Sequence, residues 1–351
     1  MTDLHSTNKI EAFRDTNRIE WIDRCKCIAI YLVVYGHFCL DNKYVYAFHM
    51  PLFFFLSGYV FNEKKYTSKK FLKSRINGIL IPYFFFYLLT WMYWLVVERN
   101  FRSVDLEWWQ PLLGLLYSSP QWNGFMSHNA VLWFLPCLFV VETIVFLILK
   151  HVPRITYHVI IVTILTILGF CSCRALPWCL NIALPCLQFF YVGRLLRKLD
   201  FNRFDRKWIL LIFIILVSSF LMGMHITDNK VNIVSSVYGC IPEFELFAYL
   251  GLFAIVFLFQ IKHTDNQVFI SYPLIQRGGV IDYIGKNTLI IFALHMPVLR
   301  IVKVVFEKIH PSMNYDTDYF VDALLSLLVI VILLPAIPLY NKVKIKLPRI
   351  R

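Results

Sequence analysis

Apolar runs of bilayer length follow one another along almost the whole of this 351-residue chain. A helix needs about 20 predominantly apolar residues to cross the hydrocarbon of a bilayer, and only a helix or a closed barrel pairs every backbone N–H and C=O there. The runs lie near residues 25–41, 45–62, 77–97, 130–149, 155–173, 178–196, 207–225, 241–261, 286–305 and 320–340. They predict an all-α, polytopic integral membrane protein with about ten transmembrane helices. The second run is interrupted by Pro51, and the ninth opens on the polar stretch from Tyr283 to Asn287. Only 16% of the residues are charged and 58% are hydrophobic, which leaves little sequence for a soluble domain.

The net charge of +13 is a statement about topology rather than about nucleic acid. Its basic residues cluster between the apolar runs, where the positive-inside rule places cytoplasmic loops. Lys64, Lys65, Lys69, Lys70, Lys73 and Arg75 follow the second run. Alternating spans bring Arg194, Arg197, Lys198, Arg203, Arg206 and Lys207 to the same side, together with the tail bearing Lys342, Lys344, Lys346, Arg349 and Arg351. The expected organisation is a cytoplasmic tail over 1–20, a ten-helix domain over 21–341 and a basic cytoplasmic tail over 342–351. Residues 1–20 are polar and no small-residue cleavage site follows the first apolar run, so that run is expected to stay as a helix. Trp94, Trp108, Trp109, Trp122 and Trp178 fall near the opposite ends, as an interfacial aromatic belt requires. The aromatic segment from Asn100 to Asn129 is either a re-entrant lid or a helix lying in the interface.

The nine cysteines form C-x-C pairs at Cys25/Cys27 and Cys171/Cys173 with no zinc-site spacing, so no metal site is expected. No Gly-rich phosphate loop, G-x-S-x-G elbow or H-E-x-x-H motif is present, which argues against ATP-driven transport and soluble hydrolase chemistry. Ionisable groups within the spans are the remaining suspects. His37 lies deep in the first run, and a neutral imidazole there is either a hydrogen-bonded core residue or a general base. His49 sits near the outer end of the second run, as a participant in the chemistry or as an interfacial residue. Asp23 and Lys26 share one face at the expected inner end, to pair or to handle a charged ligand. Glu142, buried in the fourth run, needs a partner or a proton. His295, preceded by Asn287 and Thr288, is a third intramembrane histidine, and together these groups point to a polar cavity.

Several of these segments resemble the integral membrane acyltransferase 3 family, most closely its fucose 4-O-acetylase-like branch. They are Ile22-Asp23-Arg24-Cys25-Lys26 to Gly36-His37 and Phe48-His49-Met50-Pro51 to Gly58-Tyr59, then Phe71-Leu72-Lys73-Ser74-Arg75 to Pro82. Leu132-Trp133-Phe134-Leu135-Pro136 to Glu142 and Tyr283 to His295-Met296-Pro297 complete the set, in family order. The resemblance implies transfer of an acetyl or other acyl group from cytoplasmic acetyl-CoA, as substrate rather than bound cofactor, to a hydroxyl of an envelope saccharide or lipid-linked glycan. The implied location is a bacterial-type inner membrane with both termini cytoplasmic. His37 is then the general base, with Asp23 and His49 in support. Lys26, Lys73 and Arg75 attract the donor, and Trp133, Glu142, Asn287 and His295 line the acceptor path. The chain has Lys26 where many members carry arginine, and Gly78 where a second basic residue often follows Arg75. Lysine keeps the charge but loses the bidentate fork. A glycan exporter or flippase is the alternative from another class, and a noncatalytic membrane subunit is a third.

Overall fold

A computed structural model describes residues 19–40, 42–101, 106–172, 174–199, 205–260, 279–309 and 318–346, with side chains through 344. The expected N-terminal tail up to residue 18, the end of the basic tail, and Cys173, Arg203 and Asp316 lie outside the described residues. Among the described residues the named elements are all helical, and the one extended pairing is an isolated bridge between Asn232 and Val237.

Helix α1 (Glu20–Phe38) carries Glu20 and Asp23 in its first turn, where a carboxylate complements the positive end of the helix. Asn42 then caps the short α2 (Lys43–Tyr46) by accepting from the Val45 amide. Helix α3 (His49–Val60) has Pro51 in its first turn, where the missing N–H would have no helical partner in any case. Pro51 therefore opens this helix instead of interrupting it. Helix α4 (Ser68–Arg75), a π-helical turn (Ile76–Leu80) and α5 (Ile81–Val96) run into one 33-residue rod, Ser68–Asn100. After the short α6 (Gln110–Tyr117) come α7 (Phe134–His151), α8 (Ile155–Phe170), α9 (Leu180–Leu196), α10 (Arg206–Ile226) and α11 (Ile241–Leu258). The last group is α12 (Val280–Lys286), α13 (Thr288–Ile309), α14 (Tyr319–Leu333) and α15 (Ala336–Lys346).

Six of these helices, among the described residues, are long and apolar enough to cross a membrane, and a seventh is reached if α14 and α15, bent by 44° at their junction, form one span. The expected count of about ten is higher because three apolar runs become helices that fall short of a span on their own. Helix α1 crowds Glu20, Asp23, Arg24 and Lys26 into its first two turns. Helix α3 has 12 residues, about 18 Å at the helical rise, and α8 has 16. The segment around α6 is likewise too short to cross. It packs against α5, with Tyr83 donating to the Leu115 carbonyl (2.9 Å) and Tyr87 to that of Pro111 (2.7 Å).

The bundle closes around α3 and α9. Gly58 faces the Phe190 backbone and Gly193 faces the Phe55 backbone, and a methyl group at either position would overlap a carbonyl oxygen. Small residues thus let the two helices approach to backbone contact, the usual basis of tight helix pairs in lipid. Trp94 is another departure from expectation: it is fully buried, with the Arg99 guanidinium 5.6 Å from its ring centre, so it belongs to the core and not to an interfacial belt. Trp108 and Trp109 are exposed.

The basic segments gather at one end. Arg194 grips Glu63 through two hydrogen bonds (2.5 and 2.8 Å) and Arg197 donates to the Phe61 carbonyl (2.9 Å), joining the ends of α9 and α3. Lys150 at the end of α7 donates to Ser68, and Trp21 packs edge-on against Tyr59. We call this the basic end. The first residues of α3 and α7 and the last turns of α1 lie at the other.

Two outcomes follow from this packing. Gly193→Ala should force α3 and α9 apart and lower stability by about 1–3 kcal/mol or more, read as the thermal unfolding midpoint in detergent; an unchanged midpoint would contradict the backbone contact. Burial alone would raise the Glu63 carboxyl, but the Arg194 fork and Glu63's own amide outweigh it and hold the group below the ordinary carboxylate range. A depressed carboxylate contributes stability that is complete above its unfolded pKa and lost as pH falls through its folded one. The stability gap between wild type and Arg194→Ala should therefore be constant near neutrality and shrink under acid, below about pH 4.3; a gap that widens under acid would contradict this sign.

Candidate active site

A cavity of about 240 Å³ lies at the end opposite the basic cluster, lined by His37, Tyr46, His49, Trp133 and the backbone turn Asn232–Ser235 among others. Local structure explains each placement. His37 stands in the last turn of α1, where the final carbonyls have no helical partner. Tyr46 supplies one by donating to the Gly36 carbonyl (3.0 Å), which folds α2 back over the helix end. His49, the first residue of α3, has Nδ1 2.7 Å from the Val45 carbonyl. A carbonyl only accepts, so Nδ1 carries the proton and Nε2 is left as an acceptor. Tyr46 packs edge-on against the His49 ring at 5.3 Å between centroids.

Trp133 enters from the 3-10 turn Ala130–Trp133 that leads into α7, and it is buried. The facing wall, Asn232–Ser235, is held from outside. Gln121 donates to the Val234 carbonyl (2.7 Å), Gln121 and Asn181 both reach the Ser236 hydroxyl, and Lys43 donates to the Thr227 carbonyl (2.6 Å). The described part of the aromatic segment, through Gln121, thus braces the cavity rim.

His295 of α13 is completely buried, and its ring lies 5.2 Å from that of His37. Its Nδ1 points at the Phe292 carbonyl (2.7 Å) and more weakly at that of Ile291 (3.2 Å). The same tautomer argument makes Nε2 the acceptor, and that atom has no hydrogen-bond partner among the described residues. His37, His49, His295 and Trp133 are therefore brought together, although they come from three distant parts of the sequence.

The other candidates are not beside them. Asp23 and Lys26 occupy the first turns of α1, and the helical rise puts Lys26 roughly 16 Å along the axis from His37. Asp23 is buried where α12 crosses it, with Gly285 against its backbone carbonyl. Arg24, between the two, forms an ion pair with Asp282 of α12 (3.1 Å). Lys73 is half-buried on α4. Arg75, at the end of α4, meets Glu142 of α7 at 2.9 Å inside a ring of Phe61, Tyr66 and Phe71, each with its centre 5.3–5.8 Å from the guanidinium carbon. Glu142 thus has its partner in Arg75 and does not line the cavity. Asn287 does not either, for its amide donates to the Tyr283 carbonyl (2.8 Å) in the turn between α12 and α13.

The sequence reading missed Arg24, Asp282, Tyr46, Gln121 and the turn at Asn232. Asp282 had a visible signal as a lone acid in the apolar stretch Val280-Ile281-Asp282-Tyr283. Arg24 has a role only through Asp282, far away in the sequence, and Tyr46 and Gln121 are neutral residues whose roles depend on carbonyls supplied from elsewhere in the fold.

A family model described as an acyltransferase domain matches residues 19–338. Comparison with curated proteins and with solved structures gave no match. The matched region takes in every residue of the cavity and of the basic end discussed above. With its bundle of long apolar helices, the chain belongs to the acyltransferase 3 family and is a membrane acyltransferase.

Proposed function

We propose that the protein is an O-acetyltransferase of a bacterial-type inner membrane, of the fucose 4-O-acetylase-like branch, that moves an acetyl group from acetyl-CoA to a hydroxyl of an envelope saccharide or lipid-linked glycan. The observation that carries this reading is the close pair His37 and His295, rings 5.2 Å apart and inclined by 38°, beside a cavity walled by Trp133, in a chain of the acyltransferase 3 family.

In this reading the basic end faces the cytoplasm, as the positive-inside rule requires. Successive helices alternate between the two ends, so α1 and α3, packed inside the bundle, and α8, which turns an apolar face outward, also cross, which gives ten passages. Lys26 and Lys73 attract the phosphates of the coenzyme, while Arg24 stays paired with Asp282 and Arg75 with Glu142. Its thioester arm extends along α1 toward His37. Asp23 sits with the donor charges, too far along the helix to touch the reacting atoms.

The acceptor enters the cavity, a sugar face against Trp133. His37 takes the proton of the attacking hydroxyl, the oxygen bonds to the thioester carbonyl carbon, and the carbon–sulfur bond breaks to release the coenzyme thiol, which takes up the proton. His295, its tautomer fixed by the Phe292 carbonyl, holds the His37 ring against tilting, and His49 presents an acceptor nitrogen at the mouth. The Arg75–Glu142 pair fastens the rod Ser68–Asn100 to α7 beneath the site.

Transfer of labelled acetyl from acetyl-CoA to envelope glycan, in membranes with equal amounts of inserted protein, tests the assignment. His37→Gln should lower the rate by about 10²–10⁴, the range of a general base. Wild-type activity in that variant would remove His37 from the mechanism, and wild-type protein inactive across a broad acceptor panel would favour an exporter. Lys26→Gln should raise the KM for acetyl-CoA by about tenfold with kcat retained, as loss of a charge-assisted contact to the donor would. A KM equal to wild type would place the phosphates elsewhere.

A further inference from the structure

Helix α13 contains Pro297, two residues after His295. Proline brings no N–H to the carbonyl of the residue four positions earlier, and its ring pushes that carbonyl aside. The carbonyl concerned is that of Ala293, which is completely buried, and an unpaired carbonyl in such a place is costly. The side chain of Asn129 fills the gap, its amide nitrogen 2.9 Å from the Ala293 oxygen. Asn129 is also completely buried, and because a carbonyl only accepts, it is the amide nitrogen that must face Ala293.

Asn129 immediately precedes the turn Ala130–Trp133, which forms one wall of the cavity. The same stretch is fastened to α13 a second time. Arg300 donates to the carbonyls of Ser127 (2.9 Å) and His128 (2.7 Å) while paired with Glu98 (2.7 Å). The two attachments fall on either side of Pro297, so the wall and the helix of His295 are registered to each other.

We propose that Asn129 is a positioning residue: through the carbonyl that Pro297 frees, it fixes the Trp133 wall of the cavity relative to the His295 and His37 pair. The catalytic half of this inference rests on the acyl-transfer reading above. The tether itself does not.

The test is a double-mutant cycle on the full-length protein in detergent. Asn129→Leu should lower kcat by about tenfold to a hundredfold, the scale of a sub-ångström to ångström misplacement, while the KM for acetyl-CoA stays within about twofold. Pro297→Ala returns an N–H to Ala293, so in that background the same Asn129 change should have a much smaller effect. Thermal unfolding gives a readout that needs no substrate. Asn129→Leu should lower the midpoint by about 2–4 °C in the wild-type background and by less than half of that beside Pro297→Ala. Equal shifts in both backgrounds would overturn the tether, and a rise in KM with kcat retained would overturn the positioning role. Should Asn129→Leu fail to insert, Asn129→Ala supplies the same comparison. If wild-type protein transfers no acetyl group, the acyl-transfer reading falls and the unfolding cycle still decides the tether.

Discussion

Every backbone carbonyl that leaves a helical ladder inside this bundle needs a donor, and around the cavity the donors are the side chains that build it. Gly36 at the end of α1 is served by Tyr46, Val45 by His49, Phe292 by His295 and Ala293 by Asn129. The bonds to Gly36 and Ala293 supply a donor to a carbonyl at a helix end or beside a proline, where water cannot satisfy it, and all four fix the orientation or tautomer of a side chain that faces the cavity or braces it. The site is thus located where the helices end or bend, and its preorganisation is a consequence of backbone accounting that a membrane protein cannot avoid.

Charge is arranged on the same logic. Four half-buried arginines meet carboxylates on other elements: Arg24 with Asp282, Arg75 with Glu142, Arg194 with Glu63 and Arg300 with Glu98. Such pairs gain little net stability against apolar replacements, because desolvation offsets their attraction. What they do specify is register, since an arginine shifted by one turn would lose its partner and remain buried. Three of the pairs lie toward the basic end and hold α1, α4 and α9 there. The fourth fastens the aromatic segment over the cavity end of α13.

How much of this was legible in the sequence varied with the range of the interaction. The depth of His37 and His295, the anomaly at Glu142 and the aromatic segment before Asn129 were all visible as residues out of keeping with their apolar surroundings. Their partners were not. Glu142 pairs with Arg75, which the sequence reading placed with the donor; Asn287, grouped with His295 by proximity in sequence, turns back to its own helix. Pro51 looked like an interruption because a run of apolar residues does not reveal where its helix starts. Trp94 looked interfacial because its position near a helix end was visible while the packing around it was not.

The sequence by itself determined that the chain is helical and membrane-borne, that its basic residues fall between the apolar runs, and that histidines lie within them. Those properties follow from hydropathy and charge, which are sums over neighbouring residues. Only the tertiary structure decided that His37 meets His295, that Trp133 and the turn at Asn232 face them, and that Asn129 completes the helix broken by Pro297. These contacts join segments far apart in the chain, and they depend on how closely glycines such as Gly58 and Gly193 let the helices approach, which no local pattern records.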